Sequence, residues 1–340
     1  MKITHESSTA EFERLIKMPK PSPLAPFKPL RADPYAVDGK SIVALVRSDD
    51  RKKGIKNALH LIGGTRPLTK GVKEEIIIKP NCNHDMPFPR NSHPETVRLI
   101  AESLIADRFD PGMIVIGEMS GMYRGLPTRV TMENLGLNKV AEDLGLQLSY
   151  FEEEDWVTID DTGEGVWPEG IKLPKRVYEA GRIIMTPILR PHTSATFSMS
   201  MKLAVGMMDV KAREWLHNGE RFYEKLMEFN LAFSNDLTIV DGIKCYVDKG
   251  PRFTKMVEPG IILIGSNRVA TDAVAVAILK QCNAFGLETK SIREHEQIKL
   301  AERLSLGNST LEKIDLRTED LAEDGELDAL VALVKNELGS

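Results

Sequence analysis

A chain of 340 residues with 42% hydrophobic and 28% charged residues has the composition of a globular protein, long enough for one large α/β domain or two moderate ones. The formal net charge of −5 and the absence of a Lys/Arg-rich block exclude a basic nucleic-acid surface, and the longest apolar runs, such as GIILIG at 260–265, are too short to span a bilayer. The opening MKITHESSTAEFERL has no apolar signal-peptide core, so a cytoplasmic protein is expected.

Six of the 19 prolines fall within residues 19–34, without periodicity. Residues 1–40 are therefore predicted to be an extended arm that lies on a surface or reaches a second subunit, giving a homo-oligomer. From 41 to 320 short apolar runs alternate with amphipathic stretches. SIVALVR (41–47) predicts a strand and KKGIKNALHLIGG (52–64) a helix closed by glycine. EEIIIKP (74–80) predicts a strand covered on both faces, running into the loop NCNHDMPFPRN (81–91). SHPETVRLIAESLI opens with Ser92 and Glu95 at capping-box spacing, and Val97, Ile100, Ala101 and Leu104 form one helical stripe. GMIVIGE (112–118) is the next strand; strand, helix and strand in this order imply a right-handed crossover and a parallel sheet.

LNKVAEDLG (137–145) and LQLSYF (146–151) repeat the helix-then-strand unit, and EEED (152–155) reads as a solvated loop. GRIIMTPIL (181–189), LTIVDGI (237–243) and GIILIGS (260–266) predict strands, while ERFYEKLMEFNLAFS (220–234) and RVATDAVAVAILKQC (268–282) predict helices. Residues 321–340 end in a further helix. The sum is a doubly wound α/β fold: a mostly parallel sheet of seven or eight strands with helices on both faces, and room for a second lobe within 120–180 or 205–260.

Ligands of such sheets bind beyond the C-terminal ends of the strands. Those ends carry Lys79, Asn81, Cys82, Asn83 and His84, then Glu118 and Ser120, then Arg190 and His192, then Asp241, with His93 and Asp272 at helix starts. Each has a plain structural reading as well: Glu118 can pair with an arginine, Asp241 before Gly242 suits a turn, and Asp272 suits a first helical turn. Their recurrence at one edge is what points to a site. In RPHTSATFSMSMKLAVGMMD (190–209), His192 and Lys202 stand ten positions apart in a run of few charges. Lys202 is predicted to share a helical face with Ser198 and Gly206, and is either an edge residue reaching water or a partly desolvated amine. Three histidines, His93, His192 and His217, are compatible with a metal ion, and Cys82 in KPNCNH adds a weaker ligand candidate, but no HxH or HExxH spacing supports them. Cys82, Cys245 and Cys282 form no CxxC pair, so local motifs build no iron–sulfur cluster of the chain's own.

The stretches IIIKPNCN, SHPETVRLIAESL, VIGEMSG, RPHTSATFSMSMKLAVGMMD, LTIVDGI and IILIGSNRVATDAVA together resemble the "domain of unknown function 362" family across residues 41–310. Family members are often encoded with or fused to ferredoxin-like iron–sulfur modules, which implies a ferredoxin-like protein as a partner. Arg190 stands where members usually show a lysine, and Met119 and Ser120 follow Glu118 in place of a plain Gly-Glu-Ser. A fainter similarity links His192, Lys202 and His217, in order and spacing, to the nickel-pincer lactate racemases. That likeness implies a cofactor on Lys202 and a metal ligand at His217, although the glycine-rich run before the racemase lysine is SATFSMSM here.

The leading expectation is an isomerase-like enzyme acting on a small carboxylate-bearing molecule. Lys79, Asn81, Arg98, Arg190 and Asp241 would bind it, His192 and Glu118 would move protons, and Lys202 would stabilise developing charge. The rivals are an iron–sulfur-associated redox accessory, or a cofactor- or metal-binding protein without turnover, and a scaffold working through its proline-rich arm.

Overall fold

The computed structural model describes residues 5–121, 127–160, 162–249 and 253–339. Eight strands form the main sheet: β1 (Ser41–Arg47), β2 (Ile76–Pro80), β3 (Ile114–Glu118), β4 (Gln147–Tyr150), β5 (Arg182–Thr186), β6 (Leu237–Gly242), β7 (Ile261–Gly265) and β8 (Ile314–Asp320). Their spatial order is β8-β1-β7-β6-β5-β2-β3-β4. Every neighbouring pair is parallel except the two that flank β7, which runs against both β1 and β6.

The apolar runs form strands because both faces are covered. Ile42, Ala44, Val46, Ile76, Ile78, Ile239 and Ile262 enter one core, whereas Val43, Leu45, Ile77, Val240 and Leu263 enter the other, the two-residue alternation of a pleated strand. Helix α1 (His5–Lys17) opens the chain. Helices α2 (Arg51–Ile62), α3 (Pro94–Ala106) and α4 (Leu137–Leu144) pack on the first core. On the second lie α5 (Ser200–Leu203), α6 (Val210–His217), α7 (Phe222–Phe229), α8 (Arg268–Gln281), α9 (Glu296–Arg303) and α10 (Glu326–Gly339). Residues 268–279 of α8 are all buried, as expected of a helix enclosed on every side. Gly63 closes α2 in the left-handed conformation, φ 94°, that glycine adopts without steric cost.

Four sequence expectations change. The arm is not extended throughout: α1 forms because Phe12, Leu15 and Ile16 fall on one stripe and pack against the second core. Further along, Leu24–Ala25 joins a three-stranded sheet with Trp156–Ile159 and Ile171–Pro174, whose apolar side chains belong to that same core. The helix expected from Ser92 and Glu95 is instead capped by His93, whose Nδ1 accepts from Glu95 N at 3.1 Å, and Ser92 Oγ accepts from Asn81 N and donates to Thr186 O. The acidic run is not a solvated loop, since Glu152 is buried and its Oε1 accepts from Thr128 N at 3.0 Å. Of the two spans offered for a second lobe, residues 122–126, 161 and 250–252 lie outside the described residues, as do residues 1–4 of the arm and residue 340.

Candidate functional site

Adjacent strands β2 and β3 end on Lys79 and Glu118. Lys79 is fully buried, and its amine lies 2.9 and 2.8 Å from the two Glu118 oxygens while also donating to Pro80 O. The same carboxylate accepts Cys82 N at 3.2 Å and Met119 N at 2.9 Å. Burial pushes the Glu118 carboxyl up and the Lys79 amine down, and each charge opposes the shift in the other. Four donated hydrogen bonds on one carboxylate suit its ionised form, so Glu118 is a held counter-ion.

The short segment carrying Lys202 lies across this pair. Helix α5 begins at Ser200, not near Ser198, because the buried Asp272 carboxylate on α8 accepts Ser200 N at 2.9 Å, Ser200 Oγ at 2.5 Å and Met201 N at 3.1 Å. Ser198 therefore falls outside the helix, and the predicted face of Ser198, Lys202 and Gly206 is not formed. After Leu203 the segment tightens into a 3-10 turn, Ala204–Met207, which brings Gly206 against Glu118 and Lys79. Asn230 Nδ2 holds Met201 O at 3.0 Å, and Arg268 in turn binds Asn230 Oδ1 at 2.8 Å.

Lys202 is half-buried and has no hydrogen-bond or carboxylate partner among the described residues. Burial, followed by the charges of Arg190, Arg213 and Lys79, pushes its amine down to about 7. Arg190 follows β5, is 8% exposed, and is pulled down to about 10 by burial and by Arg90. Its Nε is buried without a partner, and so is Asn81 Oδ1 at the end of β2. These strand ends are stitched together, since Ser92 bridges Asn81 N and Thr186 O.

His192 is pushed down to about 2 by burial first, then by Lys202, Arg190 and His217. Its Nδ1 accepts from Ser194 N and Ala195 N, both at 3.1 Å. The proton of the neutral ring thus sits on Nε2, and the imidazole offers a hydrogen-bond donor and no free basic lone pair. This changes its expected role as a proton-moving base.

The structure gathers Lys79, Asn81, Glu118, Arg190, His192 and Lys202 at one edge of the sheet and sends the other candidates elsewhere. Asp241 shares its face of β6 with Ile239, where Arg51 Nε at 2.5 Å and Thr96 Oγ1 at 2.8 Å occupy its carboxylate. His93 is a helix cap beside that cluster. Arg98 pairs with Asp143 on the outer side of α3 and α4. Cys82 contributes only its backbone N–H, and burial pushes its thiol well up, away from a ligating thiolate. His217 Nδ1 is bonded to Arg213 O at 2.8 Å. Among the described residues no three His, Cys, Asp or Glu side chains converge as metal ligands, so His93, His217 and Cys82 do not form the group that a metal site needs.

Two site residues escaped the sequence. Arg213 on α6 clamps the end of β3, donating to Met119 O at 2.6 Å, Ser120 O at 2.5 Å and Met208 O at 3.1 Å. Arg90, in the loop after β2, stands beside Arg190, whose Nη1 donates to Arg90 O at 3.4 Å. Both arginines lie in otherwise ordinary polar stretches, and only the fold brings them here.

A family model described as "Domain of unknown function (DUF362)" matches residues 76–277. The thylakoid-associated protein sll1697 of Synechocystis sp. is 25% identical over 250 residues, 70% of this chain and 74% of that protein. Among solved structures, the lactate racemase apoprotein of Thermoanaerobacterium thermosaccharolyticum is 19% identical with a TM-score of 0.38, over 60% of this chain and 52% of that one. This chain thus spans about half the length of that racemase. No helix among the described residues is long and apolar enough to cross a membrane.

Proposed function

The chain belongs to the family of unknown function DUF362, and we propose that its strand-end site binds a small carboxylate-bearing molecule and exchanges a proton at a carbon beside a carbonyl or hydroxyl. One observation carries this reading. Arg190 Nε and Asn81 Oδ1, which follow the neighbouring strands β5 and β2, are buried without protein partners among the described residues, the Lys202 amine lies in the field of Arg190, and the Glu118 carboxylate is already neutralised by Lys79. Buried polar groups are ordinarily paired, so a group of orphans at a sheet edge fits a ligand that brings an anion and a donor.

The roles then differ from those expected from sequence. Lys202, with its amine near neutrality, is the group able to take and return a proton. His192 Nε2–H donates to the oxygen on which charge develops, and Arg190 holds the carboxylate. Glu118 keeps Lys79 in place. The racemase likeness implies a pincer cofactor, and His192 offers it no metal ligand, because its Nδ1 is occupied by two backbone N–H groups and its Nε2 carries the proton. No step is routed through such a group. A ferredoxin-like partner, self-association through the arm and a cytoplasmic location stay within the proposal, testable by pull-down, sedimentation and fractionation.

The deciding experiment incubates the protein with 2-hydroxy and 2-oxo carboxylates in D2O and follows exchange at the α-carbon by NMR. Exchange that vanishes in Lys202→Met supports the reading. Absence of both binding and exchange across the set sinks it.

A further inference from the structure

The positive charge at this sheet edge exceeds what one carboxylate of a ligand would balance. Five cationic side chains gather there: Lys79, Arg90, Arg190, Lys202 and Arg213. Lys79 is balanced by Glu118, and Arg213 is engaged with three backbone carbonyls and faces Glu118, Glu152 and Asp209. Three remain. Among the described residues no carboxylate pairs with Arg90, Arg190 or Lys202.

Arg90 and Arg190 flank the same ring. Each guanidinium carbon lies 5.7 Å from the Phe253 centroid, and Arg90 Nη2 also donates to Phe253 O at 3.2 Å. The loop bearing Phe253 stacks that ring on Tyr246 at 5.2 Å, so an aromatic wall orients both forks. The histidines at the edge respond to the same field. His84, whose Nδ1 accepts from Met86 N and meets Asn91 Nδ2, is pushed down to about 4 by burial and then by Arg190 and Arg90, against a smaller opposing pull from Asp85. His192 is neutral beside Lys202 and Arg190. Two guanidinium groups and a partly protonated amine held together without counter-ions repel one another, and an added anion removes the repulsion.

We propose that the ligand of this site carries two anionic groups, either two carboxylates or a carboxylate and a phosphate monoester, with one between Arg190 and Lys202 and the second at Arg90. The inference rests on the reading that this sheet edge is the functional site, and adds the charge of the ligand to it. Arginine forks match carboxylate and phosphate oxygens in pairs, so both anions share the required chemistry.

The test compares propionate, succinate and phosphoglycolate by calorimetry and thermal shift, at fixed ionic strength so that screening is equal. A second charge-assisted contact contributes roughly 1.5 kcal/mol or more, so succinate or phosphoglycolate should bind about tenfold or more tighter than propionate. Arg90→Gln, checked for native circular dichroism, should shrink that ratio to below about threefold. Preference for succinate identifies the dicarboxylate, and preference for phosphoglycolate the phosphate. Equal affinity for propionate, succinate and phosphoglycolate, or an undiminished ratio in Arg90→Gln, overturns the inference while leaving this edge a carboxylate site. Binding of none of the three removes the site reading itself, and the inference with it.

Discussion

Gly206 lies directly over the carboxylate of Glu118. A Cβ added to Gly206 would collide with Glu118 Oε1 and stand 2.5 Å from Lys79 Nζ, while the Gly206 carbonyl accepts Met119 N at 3.1 Å. The segment that carries Lys202 is thereby seated on the buried ion pair. The position of the Lys202 segment and the integrity of the pair beneath it depend on each other.

Substituting Gly206 by alanine forces either the segment or the ion pair to move. Overpacking of this kind costs typically about 1–3 kcal/mol. Gly206→Ala is expected to lower the urea midpoint accordingly and to weaken anion binding together with it. An unchanged midpoint with unchanged binding would show that the Lys202 segment shifts freely over the pair.

The pair itself gives the second prediction. Glu118→Gln leaves the Lys79 ammonium buried without a counter-charge, a change that costs about 3–5 kcal/mol. Replacing both partners by apolar residues, Lys79→Met with Glu118→Leu, avoids the unpaired charge and should recover most of that loss. If the double variant unfolds as readily as the single one, packing at the strand ends and not charge pairing dominates.

The strands were legible because runs such as IIIKP and IILIG are apolar on both faces, and the sheet-edge rule placed Lys79, Asn81, Glu118, Arg190 and His192 correctly at one end. Pairing was not legible. Lys79 meets Glu118 only because β2 and β3 are neighbours in register, Ile78 opposite Ile116, and sheet order leaves no local trace in the chain. The edge strand β8, IDLRTED, was missed because its residues are mostly part-exposed and polar, without the apolar run that marks a covered strand. Asp241 was placed at the correct edge but assigned to the wrong cluster, since a strand-end side chain faces one side of the sheet or the other and Arg51 with Thr96 lies on its side. Arg90 and Arg213 come from a loop and a helix that the linear order separates by more than 100 residues.

The arm makes a third prediction, contrary to a loosely attached segment. Arg31 binds Asp236, which is buried, at 2.6 Å, and its backbone N–H donates to Ser234 Oγ at 2.8 Å. Asp236 Oδ2 also accepts Ile183 N at 2.8 Å, so this contact holds the start of β5. Arg182, at 3.5 Å, and Arg268 also lie near Asp236. Arg31→Ala should therefore destabilise the whole body by about 1.5–3 kcal/mol, the range for a hydrogen bond to a charged group. Equilibrium denaturation checks this, and a loss below the measurement error would return the arm to a surface accessory.

The last prediction concerns Lys202 and pH. Its amine is pushed from an ordinary value of 10.5 down to about 7, by burial first and then by Arg190, Arg213 and Lys79. Below pH 7 the amine is protonated in both the folded and the unfolded chain, and the buried charge costs stability. Between about 7 and 10.5 the folded protein has released the proton while the unfolded chain still holds it. The unfolded state binds more protons in that window, so the contribution of Lys202 to stability rises with pH across it and levels off above. Subtracting the stability profile of Lys202→Met from that of the wild type should show this rise, with the variant more stable than the wild type below pH 7. Ligand binding must run the other way. An anion beside Lys202 favours the ammonium, so binding draws in a proton near neutrality and weakens as pH climbs above about 7, whereas His192, neutral throughout this range, adds no step. Calorimetry of succinate in buffers of different ionisation enthalpy would detect the proton uptake directly. Uptake that persists in Lys202→Met would assign the proton to another group and leave Lys202 as a residue that merely edges a helix.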